Sequence, residues 1–396
     1  MNSQKRKKKY DIIVVTRESF PIGMAGTNRI ISYLKPLYEK NLSVKVYITK
    51  PHKEINILSK ETKGIFEGIH FEYTNNTTVW PSKGKKLKKL QIVVSSYFNI
   101  IKKLYADKPA IIITYTNDFF SISLLLLFRI FLKYRLIIEE TEYPKILTKS
   151  VTKSKTIQKI HFYIYRKVNG LLVITKELET YYRSIGVKNI FVLPMTVDFS
   201  RFQSLEIVNK ENFFTYVGGT GGFIRDGVLD IIKAFNKFIE TNPNYKLLIV
   251  GPIDENIDIT KEIYQFVQQN SLSQIVIFTG PKKSIEIPAF LIKARGIVMA
   301  PPKNFDSGGF PTKLGEFLAS GTPTICTKVS DISEYLNASN SFLVNAGDVE
   351  GICNAMNDIV SDPEKSQRVG MEGKVLASII FNAKTYLPDF IKFINE

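Results

Sequence analysis

Between Gly308 and Ile325 the chain reads GGFPTKLGEFLASGTPTI, a run whose residue types suit the capture of a phosphorylated ligand. Gly308 and Gly309 let a ligand approach the backbone, because glycine has no side chain to obstruct it. Pro311 suits the first turn of a helix, where its missing N–H costs nothing. N–H groups at such a start attract anions, and Lys313 adds a full positive charge beside them. Glu316, one turn further on, is placed to accept hydrogen bonds from two neighbouring hydroxyls, such as those of a ribose. Gly321 ends the helix, and Thr322 and Pro323 open the next strand. A plain loop and helix would satisfy the same spacing, so these residues by themselves leave both readings open.

Two further constellations stand in the first half. Gly23 and Gly26 lie between a strand and a helix, where backbone N–H groups suit a diphosphate or an acceptor. EETEYP places Glu139, Glu140 and Glu142 at the exit of an apolar strand. Glu142 is a candidate acceptor contact or base, with a capping or solvated glutamate as the alternative. His161 falls in an amphipathic helix and reads as a satisfied surface or core histidine. The three histidines show no zinc-ligand spacing, the two cysteines offer no disulfide framework, and D-x-D is absent. No metal and no cofactor are expected, and a reducing, cytoplasmic setting fits.

These residues must be positioned by elements that the pattern suggests. Short β-branched runs alternate with helical segments: YDIIVVT, a helix from about Asn28 to Lys40, then SVKVYITK. This is the rhythm of a parallel sheet covered by helices. Asn41 stands where a left-handed helix cap is wanted. AIIITYT, RLIIEET, GLLVIT and NIFVLPM continue the first sheet as apolar runs, as strands buried on both faces should. The rhythm restarts at NFFTYVGG, with a helix from Val228 to Glu240, KLLIVG, a helix from Lys261, QIVIFTG, GIVMAP and TPTICT. Two doubly wound, Rossmann-like parallel-sheet domains are therefore expected, facing each other across a ligand cleft. The expected divisions are residues 1–195, residues 196–374, and a C-terminal helical segment, 375–396, broken by Pro388 and returning to the first domain.

The charge is uneven. Of 54 lysines and arginines, 35 fall in residues 1–195 against 14 acidic residues, an excess of 21; the remainder holds 19 against 23. Lysine runs at Lys5–Lys9 and Lys83–Lys89 suit an anionic membrane surface or a phosphate-rich acceptor, or form a solvated face. The usual aromatic and basic motifs of nucleic-acid modules are missing, so no nucleic acid is expected. The apolar run Ile122–Leu132 is too short to span a bilayer and contains Arg129, which suggests a core helix.

GFPTKLGEFLASGTP resembles the nucleotide-binding signature of the retaining family-four glycosyltransferases, which have the GT-B fold. FPIGMAGTNRIISYLKPLYEKNLSVKVYI, VITKELETYYRSIGVKNIFVLPMTVDFSRF and YVGGTGGFIRDGVLDIIKAFNKF resemble other segments of that family, in the same order, over nearly the whole chain. The resemblance implies a C-terminal domain that binds a UDP- or GDP-sugar and an N-terminal domain that binds a glycan acceptor. The acceptor would be lipid-diphosphate-linked, at the inner face of the membrane. It implies that Glu316 holds the nucleotide ribose, that Arg225 (from RDG) and Lys313 meet the diphosphate, and that Gly219 and Gly309, Phe310, Pro311 and Thr312 line the donor. The family's other carboxylate falls on Gly308, so Asp306 or backbone N–H groups would replace it. Hexose transfer into capsule, lipopolysaccharide or exopolysaccharide is the implied function. The missing carboxylate leaves a catalytically inactive nucleotide-sugar-binding subunit as the alternative.

Overall fold

The computed structural model describes residues 9–52, 60–81, 86–116, 118–143, 155–203, 209–303, 309–329 and 331–396. Asp306, Gly308 and Lys85 lie outside them. The chain divides into two compact units, one built from the residues up to Thr196 together with Ala383–Glu396, the other from most of Val197–Asn382.

In the first unit the chain runs β1 (Ile12–Thr16), α1 (Ala25–Glu39), β2 (Val44–Ile48), β3 (Lys63–Phe66), β4 (Ile69–Tyr73) and α2 (Lys86–Asp107). It continues through β5 (Ile111–Tyr115), α3 (Phe119–Leu132), β6 (Arg135–Glu140), α4 (Lys155–Lys167), β7 (Gly170–Val173), α5 (Lys176–Ser184) and β8 (Ile190–Val192). Among the described residues these strands form one sheet in the order β3-β4-β2-β1-β5-β6-β7-β8. All five residues of β1 are buried, as the apolar run required. Asn41 adopts the left-handed conformation expected of it, with φ 63°.

One strand breaks the parallel pattern, because β3 pairs antiparallel to β4. Their hairpin turns on Glu67 and Gly68, both at positive φ, the geometry that twists a two-residue turn to match its strands. The β4 sequence IHFEY alternates buried and half-buried positions, so it lacks the continuous apolar signature that marks its neighbours.

In the second unit α6 (Ser200–Gln203) leads to β9 (Phe213–Val217), α7 (Val228–Ile239), β10 (Lys246–Val250), α8 (Asp258–Gln269), β11 (Val276–Gly280) and α9 (Ile287–Lys293). Then come β12 (Gly296–Met299), α10 (Lys313–Ala319), β13 (Thr324–Thr327), α11 (Ile332–Tyr335), β14 (Phe342–Val344), α12 (Val349–Ser361) and α13 (Pro363–Ile380). The described strands form a sheet in the order β11-β10-β9-β12-β13-β14, every pair parallel.

The last helix, α14 (Ala383–Asn395), belongs to the first unit. Leu387, Phe390, Phe393 and Ile394 join its main core, and Phe393 stacks on Phe191 at 5.3 Å. Burying each such side chain contributes roughly 1.5–3 kcal/mol. Pro388 does not break this helix; the interruption falls at Phe381–Asn382 instead. Phe381 is buried against Phe310 and Tyr335, and its carbonyl accepts from Val197 N–H, which fixes the chain direction there. Pro388 sits near the start of α14, where its missing N–H forfeits one bond only.

The helix α3 is also not the core helix its apolar run suggested. Ser121, Ile122 and Leu125 are buried, whereas Phe120, Leu127, Ile130 and Phe131 face solvent.

Candidate active site

Chain order and strand order diverge at one place in the second sheet. From β9 the chain builds outward through β10 and β11, then returns to place β12 on the other side of β9. In open α/β sheets ligands bind beyond the carboxyl ends of the strands at such a reversal. The loop after β9, Gly218–Gly227, is tied down there: Gly218 N–H donates to the Val250 carbonyl at 2.8 Å and Thr220 N–H to that of Pro252 at 3.0 Å. Gly227, at φ 66°, passes so close to the Ala300 carbonyl that a Cβ would overlap it. Ala300 N–H in turn donates to the Asp226 carbonyl at 3.0 Å.

This loop encloses a charged cluster. Asp226, 2% exposed, accepts from the Tyr216 hydroxyl at 2.6 Å and from the Lys313 ammonium. Lys313 also donates to the Tyr216 oxygen at 3.0 Å and lies 5.0 Å from the centre of its ring. Burial lowers the Lys313 pKa, and Asp226 opposes the shift by holding the ammonium charged. Burial and the neighbouring Asp226 carboxylate push the Tyr216 phenol well above its ordinary value, so it stays a donor. Two glycines leave room for the cluster: a Cβ on Gly218 would overlap the Lys313 ammonium, and one on Gly222 would lie 2.8 Å from Asp226.

Lys313 opens α10, and one turn later Glu316 meets Arg201 of α6 at 2.5 Å. The other guanidinium nitrogen of Arg201 donates to the Ser284 carbonyl at 2.7 Å. Both partners of this pair are about one-sixth exposed, at 17% and 18%, so the carboxylate is oriented yet reachable. Arg225, with 49% of its side chain exposed, has its Nε 3.5 Å from Asp226. Three cations against two carboxylates leave one positive charge in excess, an arrangement suited to a diphosphate.

The fold thus brings Glu316, Lys313, Arg225 and Gly219 to one loop-and-helix cluster. Gly219 is pressed against Pro252, 2.9 Å from where its Cβ would stand. Pro311 lies outside the helix, whose first residue is Lys313 and whose cap is Thr312. The Pro311 carbonyl instead accepts from Leu314 N–H at 3.0 Å, so the proline shapes the turn into α10. Gly309 is buried, and the Phe310 ring is packed against Tyr335 and Phe381, which leaves its backbone as the part a ligand could meet.

The remaining candidates belong to the first unit. A Cβ on Gly23 would overlap Thr27 and crowd the Ser19 carbonyl, and one on Gly26, in the first turn of α1, would stand 2.8 Å from the Glu18 side chain. Glu139 is buried and binds Arg29 at 2.5 Å and the Tyr33 hydroxyl at 2.9 Å, while Glu140 accepts from Tyr165. Glu142 is half-buried in the bend after β6. His161 is buried, but neither ring nitrogen has a hydrogen-bond partner among the described residues, so it is not the satisfied histidine expected. It stacks against Phe119 and tilts on Tyr165.

Sequence reading missed Arg201, Asp226 and Tyr216. Asp226 was visible beside Arg225 in RDG, but only the fold brings Lys313 to it. Arg201 in DFSRF stands 115 residues before its partner.

The family model described as glycosyl transferases group 1 matches residues 198–375. These residues make up a little under half of the chain and fall almost entirely within its second unit. The capsular polysaccharide biosynthesis glycosyltransferase CapM of Staphylococcus aureus is 24% identical over 167 residues, which is 42% of this chain and 41% of that protein. The match therefore spans about two-fifths of that relative's length. Among solved structures, Anabaena HepE in complex with UDP and glucose superimposes with a TM-score of 0.72 at 16% identity, covering 98% of this chain and 100% of that one. Sucrose-phosphate synthase from Thermosynechococcus elongatus gives 0.72 at 14% identity, covering 97% and 98%. The chain has the GT-B fold, with two parallel-sheet domains.

Proposed function

We propose that this chain transfers a hexose from a nucleoside diphosphate sugar to a hydroxyl of a growing cell-surface polysaccharide, with the anomeric configuration retained. The observation that carries the reading is the pair of neighbouring ion pairs, Arg201 with Glu316 and Lys313 with Asp226, on a glycine-lined loop at the strand-order reversal. In this reading Glu316 accepts the ribose hydroxyls, oriented by Arg201. Arg225 and Lys313 face the diphosphate, and their charge grows in value as the sugar–oxygen bond breaks and negative charge gathers on the leaving phosphate. No metal is needed in this scheme. HepE was solved with UDP and with UDP-glucose, which favours a UDP-sugar donor over a GDP-sugar here. The likeness to CapM favours a capsule-type acceptor. The basic excess of residues 1–195 suits an acceptor carried on a lipid diphosphate at an anionic membrane.

The test is a panel of UDP-, GDP- and dTDP-sugars, with and without a detergent-solubilised lipid-linked acceptor, read as nucleotide release. Release from one donor should fall ~10²-fold or more in Glu316→Ala. Full activity in that variant would overturn the role of Glu316. Nucleotide binding with no release from any donor would point instead to an inactive binding subunit.

A further inference from the structure

Three neighbouring helices of the first unit carry apolar side chains on the side away from the sheet. On α2, Ser96, Ile100, Leu104 and Asp107 form the buried stripe. Leu87, Leu90, Val94, Phe98 and Tyr105 recur at helical spacing on another side of the same helix, and Leu87 is 84% and Phe98 74% exposed. A helix with one face in a core ordinarily turns polar residues outward. Here both sides are apolar. The helix α3 repeats the pattern, with Ile122 and Leu125 buried while Ile130 and Phe131 are 70% and 66% exposed.

These faces adjoin. Tyr97 and Phe120 join α2 to α3 with ring centres 4.7 Å apart, and Arg129 joins α3 to α4 by donating to the Lys167 carbonyl. The charge on this ground is one-sided. The three helix sequences hold ten lysines and arginines and one acidic residue, Asp107, which is buried and paired with Lys45 and Lys9. Exposed apolar surface of this extent marks an interaction site. Asp118, at the start of α3, is 18% exposed and is held by Tyr97, Ser121 and Arg17. Apolar and aromatic side chains set among lysines, with no acid exposed on the described residues of the three helices, complement an anionic bilayer, whose acyl boundary takes the former and whose phosphates take the latter. No described helix is long and apolar enough to cross a membrane, so the contact would lie along its surface.

We propose that α2, α3 and α4 form a face that seats the protein on an anionic lipid bilayer. This deepens the membrane part of the proposed function and does not depend on the transfer reaction. The test is flotation of the full chain with vesicles of phosphatidylcholine, alone or mixed with phosphatidylglycerol. Wild type should float with the mixed vesicles and poorly with the neutral ones. The double variant Phe98→Ser/Phe131→Ser should bind about tenfold or more weakly, since each change removes a large apolar group from the inserted face. Lys88→Gln/Lys102→Gln should lose the preference for anionic lipid, and Val375→Ser, an exposed position of the second unit, should change nothing. Unaltered flotation of Phe98→Ser/Phe131→Ser, or none by wild type, would overturn the proposal. So would self-association abolished by that variant, which would assign the face to a second copy of the chain. Glu316→Ala should float like wild type while losing transfer, and Phe98→Ser/Phe131→Ser should keep transfer to a detergent-solubilised acceptor, so either reading can fail alone.

Discussion

The same side-chain arrangement is built twice in this protein, once in each unit, with different consequences. In the first unit Lys45 and the Tyr47 hydroxyl donate to Asp107 at 2.9 and 2.5 Å, with the ammonium 4.4 Å from the tyrosine ring centre. In the second unit Lys313 and Tyr216 bind Asp226 in the same manner. The first triad is saturated. Lys45 also meets Glu72, which meets Lys103, and Lys9 adds a further bond to Asp107. Its three cations and two carboxylates carry the same sum of charge as the second cluster, but they tie the end of α2 to β2 at the opposite end of the strands, with no glycine loop beside them among the described residues. The second triad sits beyond the end of β9, wrapped by glycines and flanked by the half-exposed Arg225 and the oriented Glu316. Identical local chemistry becomes a clamp or a candidate site according to which end of the sheet it occupies and what adjoins it.

Matching substitutions should separate the two. Asp226→Asn is expected to cost ~10²-fold or more in transfer rate, because it frees Lys313 from its fixed position and alters the charge at the loop. Asp107→Asn should leave the rate per folded molecule unchanged while removing about 3–5 kcal/mol of stability, the usual cost of breaking a buried pair. Initial rates beside denaturant melts would decide; a comparable rate loss in Asp107→Asn would break the distinction.

Acid gives a gentler probe. Burial alone would raise the pKa of Asp107 and Glu72, but bonds from Lys45, Tyr47 and Lys9, and from Lys103 and Lys45, outweigh it and hold both below the ordinary range. Their contribution is complete above about pH 4, where carboxylates of the unfolded chain ionise, and is lost as pH falls through the lower folded values. Asp107→Asn should flatten the acid limb of a stability–pH curve.

His161 provides the smallest effect and the opposite lesson, a buried polar group whose ring nitrogens pair with nothing among the described residues. Burial lowers its pKa to about 4, so between about pH 6.5 and that value the unfolded chain binds the extra proton and stability falls as pH drops. His161→Phe should remove this dependence and add ~1 kcal/mol, as measured by thermal or urea melts across that range.

The core strands were legible because burial on both faces forces a continuous apolar run, and β1, β5 and β9 each show one. The hairpin β3–β4 was not, since β3 at the edge and β4 beside it both alternate and their short turn carries no strong pattern. Glu316 and Lys313 could be picked out because helix starts and glycine loops advertise themselves in local sequence, and Arg225 because RDG resembles a family motif. Their partners could not, because Arg201 and Asp226 stand 115 and 87 residues away from the groups they hold.

By itself, then, the sequence determined the alternation of strands and helices, the left-handed turn at Asn41, the unequal charge of the two halves and the residue types of the site, all of which follow from local sterics, periodicity and composition. Only the tertiary structure decided which lysine meets which carboxylate, that one Lys–Asp–Tyr triad is consumed and the other flanks an exposed arginine, and that α3 turns an apolar face to solvent. Pairing and exposure depend on which distant segments the sheet order brings together, and no local pattern records that order.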